Sequence, residues 1–435
     1  MLLISVILIT FSVFAQIVDK ARLDAYFDAL EKNDKFMGSI AISQKGQLVY
    51  TRSVGFADLE QGIKANEHSK YRIGSISKTF TTVLVFKAVE EGKLNLDQAI
   101  DIYFPSITNA KKITISHLLY HRSGIHNFTN DKSYLKWNKD PKTEQEIVEI
   151  ISKAGSDFEP DTKTVYSNSN FVLLSYILER AYNKPYSQLL EEKIIKPTGL
   201  KDTYYGGKIN TQYNECYSYR FKDGWKIESE TDLSIPMGAG GIVSTPADLT
   251  TFSEALFNGG LVSPEHLAQM KTIKDHLGMG LFRIPFFDKM GFGHGGNIDG
   301  FNSLFVCYPD DDISFAYTAN GLNYVGNNIT IAALSAIYRK PFEIPEFKTF
   351  HVSPEDLDKY PGNYSSTQLP LKITITKKDG SLIAQATGQP AFPLEATDKN
   401  QFKFEQAGIV MEFNPVDQTM ILKQGGGEYL YKKDE

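Results

Sequence analysis

A proline-rich break at Pro341–Pro354 divides the chain into two stretches that cannot share one kind of fold. The break holds three prolines and few periodic apolar residues, so it reads as a linker. Before it, strand-like runs stand at both ends of the sequence with helices between them. Gly38–Gln44 and Gln47–Ser53 read as a hairpin turned at Lys45-Gly46, and residues 277–320 alternate and carry many glycines. Strands that open and close a helical stretch predict one antiparallel sheet built from both chain ends, flanked by helices, with a helical subdomain over roughly 80–205. After the break, short strands follow at near-regular spacing: Leu371–Thr376, Leu382–Ala386, Phe392–Ala396, Gln401–Phe404, Val410–Phe413, Thr419–Gln424 and Glu428–Lys432. That spacing predicts a small antiparallel barrel or sandwich.

Length supports the division, because 435 residues exceed one ordinary core. The net charge of −6 argues against nucleic acid as a partner. Residues 1–15 are apolar and uncharged, end in Val13-Phe14-Ala15, and are too short to span a bilayer. They read as a cleaved secretory signal. The expected domains are therefore a signal at 1–15, a mixed α/β (α+β) domain at 16–345 and an all-β domain at 346–435. The chain is expected to be periplasmic or secreted, with no stable membrane span after cleavage. Cys216 and Cys307 are the only cysteines, and two free, buried thiols are expected.

Several helices have legible ends. Val18–Asn33, Thr79–Glu91, Thr143–Ala154, Asn170–Tyr182 and Asn328–Tyr338 follow the helical period. Tyr186–Lys196 is expected to stop at Pro197-Thr198-Gly199. Ser244-Thr245-Pro246 predicts a cap and start. Gly238-Ala239-Gly240-Gly241 marks backbone that needs room or positive φ.

Chemistry concentrates at three places. In Gly74-Ser75-Ile76-Ser77-Lys78, Ser75 and Lys78 are i and i+3 at a helix start, so a hydroxyl and an amine share one face beside unpaired backbone N–H groups. A serine hydroxyl needs a base beside it, and Lys78 serves only when neutral. In Val165-Tyr166-Ser167-Asn168, a polar segment before a helix can aim the phenol and the Asn168 amide into a cleft. The phenol is a second candidate base or proton relay. In Gly293-His294-Gly295-Gly296-Asn297, glycines in a strand let a ligand approach the backbone. The N–H groups of Ser75 and Asn297 are expected to form an oxyanion hole. His117 and His121 have metal-ligand spacing, but no third ligand matches, and no metal or organic cofactor is implied.

Ser75-x-x-Lys78, Tyr166-Ser167-Asn168 and His294-Gly295-Gly296 together resemble the three motifs of the serine β-lactamase and penicillin-binding-protein superfamily. Their order is similar to class C β-lactamases and the related D-Ala-D-Ala carboxypeptidases and esterases. The segments His117–Gly124, Pro197–Thr203 and Gly240–Thr245 also resemble connectors of that family. The resemblance implies Ser75 as acyl-forming nucleophile, Lys78 and Tyr166 as proton-handling partners, and Asn168, His294, Gly295 and Gly296 as substrate-positioning elements. Leu357–Tyr364 and the strands after it resemble a lipocalin-like domain appended to such hydrolases. One departure bears on substrate: class C enzymes carry Lys-Thr-Gly where this chain has His294-Gly295-Gly296. Loss of one charge-assisted hydrogen bond to a carboxylate weakens binding by about 1.5–3 kcal/mol. The expected activity is therefore hydrolysis of an ester, then a D-amino-acid peptide or amide, then a β-lactam. The substrate is a small molecule or peptide, with cell-wall fragments among the candidates. The alternative is a penicillin-binding sensor or scaffold with little turnover.

Overall fold

Strands from the two ends of the first domain meet in the middle of one sheet. The structure, a computed structural model, describes residues 18–434 except 348–349, 351, 405–406 and 425–426. The expected signal at 1–15 lies outside the described residues. β1 (Phe36–Gln44) and β2 (Gln47–Val54) form the hairpin, with Lys45 and Gly46 both at positive φ, as its twist requires. β3 (Phe282–Phe286), β4 (Lys289–Ile298), β5 (Phe301–Tyr308) and β6 (Ile313–Leu322) follow one another as an antiparallel meander. β6 then pairs with β1, giving the order β3-β4-β5-β6-β1-β2.

Side-chain size assigns the faces. The helices that matter are α1 (Lys20–Lys32), α2 (Ser77–Glu90), α3 (Asn168–Tyr182), α4 (Pro246–Phe257) and α5 (Gly326–Ile337). Ile40, Ile42, Phe315 and Tyr317 project into a core shared with α1 and α5. On the other face Ser39, Ala41 and Ser43 lie opposite Thr318, Ala316 and Ser314. These small side chains admit α4 closely enough for Ser253 Oγ to sit 2.7 Å from Ser314 Oγ. Phe252 of α4 stacks on Phe80 of α2, with ring centroids 3.7 Å apart. α2 is thus held between α4 and α3, and every residue from Ser77 to Phe86 is buried. Packing surrounds it on every side.

Three local expectations are sharpened. α3 begins at Asn168, not Asn170. The helix at Tyr186 stops within Pro197-Thr198-Gly199 as expected, but runs two residues past Lys196. It widens into a π turn over Glu191–Ile195, continues through Lys196–Thr198, and ends at Gly199 with φ +70°. The wider turn accommodates a residue with no N–H to give. Gly238, Gly240 and Gly241 have no positive φ, so room is what they supply. A Cβ on Gly241 would lie 2.6 Å from the Tyr205 ring.

The second domain is a closed eight-stranded antiparallel barrel spanning Gly362–Lys433. The strand missed in the sequence, Gly362–Ser365, closes it by pairing Tyr364 with Lys433 and Ser365 with Lys432. Side chains including Tyr364, Phe402, Met411 and Phe413 fill the interior. Both cysteines are free and buried. Among the described residues no helix is long and apolar enough to cross a membrane.

Candidate active site

Two glycines let β4 lie against the turn that carries Ser75. Gly74 has φ +51°, and a Cβ there would stand 2.8 Å from the Asn297 nitrogen. Gly296 leaves no room for a Cβ beside the Ile73 carbonyl, which accepts a 2.8 Å hydrogen bond from Ser303 Oγ. The Gly74–Ile76 turn and Gly296-Asn297 are therefore in backbone contact. β3 pairs with β4 only as far as Phe282 opposite Gly293. Beyond that point Gly295–Ile298 pairs with β5 alone, and among the described residues no strand takes its other edge. Ser75, Asn168, Ala239 and Asn297 line a cleft of about 870 Å³, together with Phe128, Leu135, Arg220 and Glu228.

Lys78 is wholly buried at the base of this cleft. Its Nζ is 2.9 Å from Ser75 Oγ, 2.8 Å from Asn168 Oδ1 and 2.8 Å from the Ala239 carbonyl. Burial holds its pKa well below the ordinary lysine value. Two of its three partners are carbonyl oxygens that can only accept. A neutral amine has two N–H groups for them and one lone pair left for the serine proton. Asn168 keeps its oxygen toward Lys78 because its other groups are occupied. Its Nδ2 donates to Thr129 Oγ1 at 2.9 Å, and its backbone N–H, left over at the helix start, donates to Asn127 Oδ1 at 3.0 Å.

Tyr166 lies against the same pair. Its ring centroid is 4.9 Å from Lys78 Nζ, and its hydroxyl is near enough to Ser75 for that residue to bear on its pKa. Burial pushes the phenol pKa up, against a smaller downward pull from Ser75, so the resting phenol is protonated. His294 reaches the site from behind. It is buried, packs edge-on against Phe282 at 4.6 Å, and sits 6.4 Å from the Tyr166 ring. Burial, and then the nearby Lys78, bring its pKa down to about 3, so the imidazole is neutral. Its side chain backs Tyr166 and does not wall the cleft. Gly295 and Gly296 offer backbone only.

The structure thus brings Ser75, Asn168 and Asn297 to one cleft, with Lys78 and Tyr166 buried behind Ser75 and His294 beyond them. Sequence reasoning missed Asn127, Thr129, the Ala239 carbonyl and His121. Ala239 acts through its backbone and leaves no signal in its identity. His121 was noticed as a partner of His117 and within the His117–Gly124 connector, with no role at the site, but the two histidines part company. His117 closes a capping box with Thr114, whereas His121 stands beyond the helix end and stacks on Tyr166 at 4.4 Å.

A nucleophile, a buried amine and a protonated phenol at the edge of an antiparallel sheet belong to a serine hydrolase. The chain is a member of the Beta-lactamase family, whose profile matches residues 23–337. It is 23% identical to penicillin-binding protein 4* of Bacillus subtilis (strain 168), over 94% of this chain and 97% of that one. It is 27% identical to the teichoic acid D-alanine hydrolase of Staphylococcus aureus (strain MRSA252), over 71% of this chain and 74% of the relative. Among solved structures, D-amino acid amidase from Ochrobactrum anthropi SV3, complexed with D-phenylalanine, superposes with a TM-score of 0.64 at 26% identity. That match covers 73% of this chain and 99% of the amidase.

Proposed function

We propose that this chain, once exported, hydrolyses D-aminoacyl esters and amides through an acyl-enzyme on Ser75. The observation that carries the reading is the partner set of Lys78 Nζ, two obligate acceptors and one hydroxyl. Ser75 Oγ attacks the carbonyl carbon and its proton passes to the Lys78 lone pair. The oxyanion gathers at the N–H groups of Ser75 and Asn297, each worth about 3 kcal/mol in such sites. The Lys78 ammonium then returns the proton, relayed by the Tyr166 hydroxyl, to the departing amine or alcohol. Water enters where the leaving group stood, and the same groups run in reverse to free Ser75. Tyr166 serves as a relay and not as a phenolate, because burial favours its protonated form.

Substrate class follows from charge. His294 is neutral and buried, and Gly295 has no hydroxyl, so nothing at that strand replaces a lysine's grip on a carboxylate. Esters and amides without a carboxylate beside the scissile bond suit the site better than β-lactams. The two relatives named for D-alanine and for D-amino acids point to the same acyl group. The test is a panel of D-alanyl esters, D-phenylalanine amide, their L-enantiomers and nitrocefin, run on wild type and Ser75→Ala. Turnover of the D-compounds, slow or no nitrocefin turnover, a mass adduct on Ser75 and a silent mutant are expected. Equal turnover of L-compounds, or an active mutant, would refute it. The apolar stretch at 1–15 supports export, which fractionation of the full-length chain checks.

A further inference from the structure

We propose that His121 is a positioning residue that holds the Tyr166 phenol against Ser75. The proposal rests on the reading of Tyr166 as proton relay. His121 follows the C-cap of the short helix Ile115–Leu119 and takes φ +56°, a region that residues with a Cβ rarely occupy. That backbone turn aims three groups at one target. The His121 carbonyl accepts the N–H of Val165 at 3.0 Å. Its ring Nδ1 accepts the N–H of Ser167 at 3.1 Å. These are the residues immediately before and after Tyr166. The imidazole itself stacks on the phenol, with centroids 4.4 Å apart and planes 26° apart.

The rest of the surroundings lock the imidazole in turn. Phe171 of α3 packs against it at 5.2 Å, and the Asn170 amide nitrogen lies 3.5 Å from Nδ1. With Nδ1 accepting, the neutral ring carries its proton on Nε2. His121 is 3% exposed and does not line the cleft, so it does not bind substrate. A histidine that only filled core space would need neither the left-handed backbone nor a hydrogen bond on each side of one tyrosine. Tyr166 is therefore clamped by its two flanking amides and by its ring face, while its hydroxyl remains free to meet Ser75.

A double-mutant cycle separates this role from general support of the fold. kcat and KM are measured with an activated nitrophenyl ester for His121→Ala, His121→Asn, Tyr166→Phe and each combination. His121→Ala is expected to lower kcat about 10²-fold with KM little changed, the usual scale for a catalytic group misplaced by an ångström. His121→Asn keeps an acceptor near the Nδ1 position and tolerates the left-handed backbone, so it is expected to recover about tenfold of that loss. In the Tyr166→Phe background either change is expected to lower kcat less than about threefold, because the group it positions is gone. A loss of the same size in both backgrounds overturns the proposal while leaving the Tyr166 reading intact. Wild-type turnover in Tyr166→Phe overturns both. If His121→Ala does not fold, His121→Asn carries the cycle alone.

Discussion

Between Lys35 and Ser335 the first domain repeatedly buries charged and polar side chains, Arg72, Lys78, His121 and His294 among them. Among the described residues of the barrel, every buried side chain is aliphatic, aromatic or methionine. The barrel's rings pack on one another, edge to face for Phe402 with Tyr360 and with Phe413, and stacked for Phe392 on Phe404. Within the first domain the buried charges also differ from one another. Arg72 is met by Glu230 at 2.9 Å and Asp299 at 3.1 Å. Among the described residues Lys78 is met by no carboxylate, only by neutral oxygens. A buried charge with counter-charges stays a charge, and a buried amine without one is pushed toward its neutral form. Reactivity sits at the one of the two that lacks a counter-ion.

The largest expected effect removes that exception. Lys78→Met is expected to lower kcat/KM for a D-alanyl ester about 10²–10⁴-fold. Thermal unfolding is expected at an equal or higher temperature, because an uncompensated amine has left the interior. A marked fall in melting temperature would show that Lys78 is a structural cation like Arg72.

Acid comes next. The folded-state pKa of His294, about 3, lies below the ordinary value of 6.5. The unfolded chain therefore binds the proton first. The stability it contributes is complete above pH 6.5 and is lost as pH falls toward 3, on the order of 5 kcal/mol at the acid end. His121 shifts in the same direction. Partly exposed His126, raised by hydrogen bonding to Asp157, works the other way and weighs less. No histidine follows position 351, so the barrel lacks this sensitivity. Trp137 and Trp225 are the only tryptophans, and both report on the first domain. Their fluorescence is expected to change at a higher pH than the loss of amide protection in the barrel. Coincident transitions would break the contrast.

The barrel can be perturbed by itself. Phe413→Ala removes a ring packed against Tyr360, Tyr364 and Phe402, which typically destabilises by about 3–5 kcal/mol. Amide exchange in the barrel is expected to accelerate while ester turnover stays within about twofold. Lost turnover would show that the barrel supports the cleft. The smallest effect is Thr245→Ala, which deletes the hydrogen bond that Thr245 Oγ1 accepts from the Asp248 N–H at 3.2 Å. A loss of about 1 kcal/mol by denaturant unfolding, with activity unchanged, is expected.

How far these features were legible depends on the range over which each is decided. Thr245 with Pro246, the Lys45-Gly46 turn and the Ser75–Lys78 pair are local, and all three took the expected shape. Pro197-Thr198-Gly199 ends its helix as expected, at Gly199 and not before Pro197, because a neighbouring π turn absorbs the missing donor. Gly362–Ser365 was overlooked because a short polar strand becomes one only when the barrel closes on it. Asn168 was placed in a loop because its capping acceptor, Asn127, lies 41 residues away.

From its residues alone this protein's two-part division, its first hairpin and longer helices, its barrel strands apart from the closing one, and the identities of hydroxyl, amine and phenol could be read, since periodicity, caps and i, i+3 spacing act within a turn or two of chain. Only the tertiary structure decided which oxygens surround Lys78, that His294 stands behind Tyr166 and not in the cleft, and that His121 grips the relay. Those outcomes depend on helices and strands far apart in sequence being packed to ångström tolerance, and no local pattern encodes that distance.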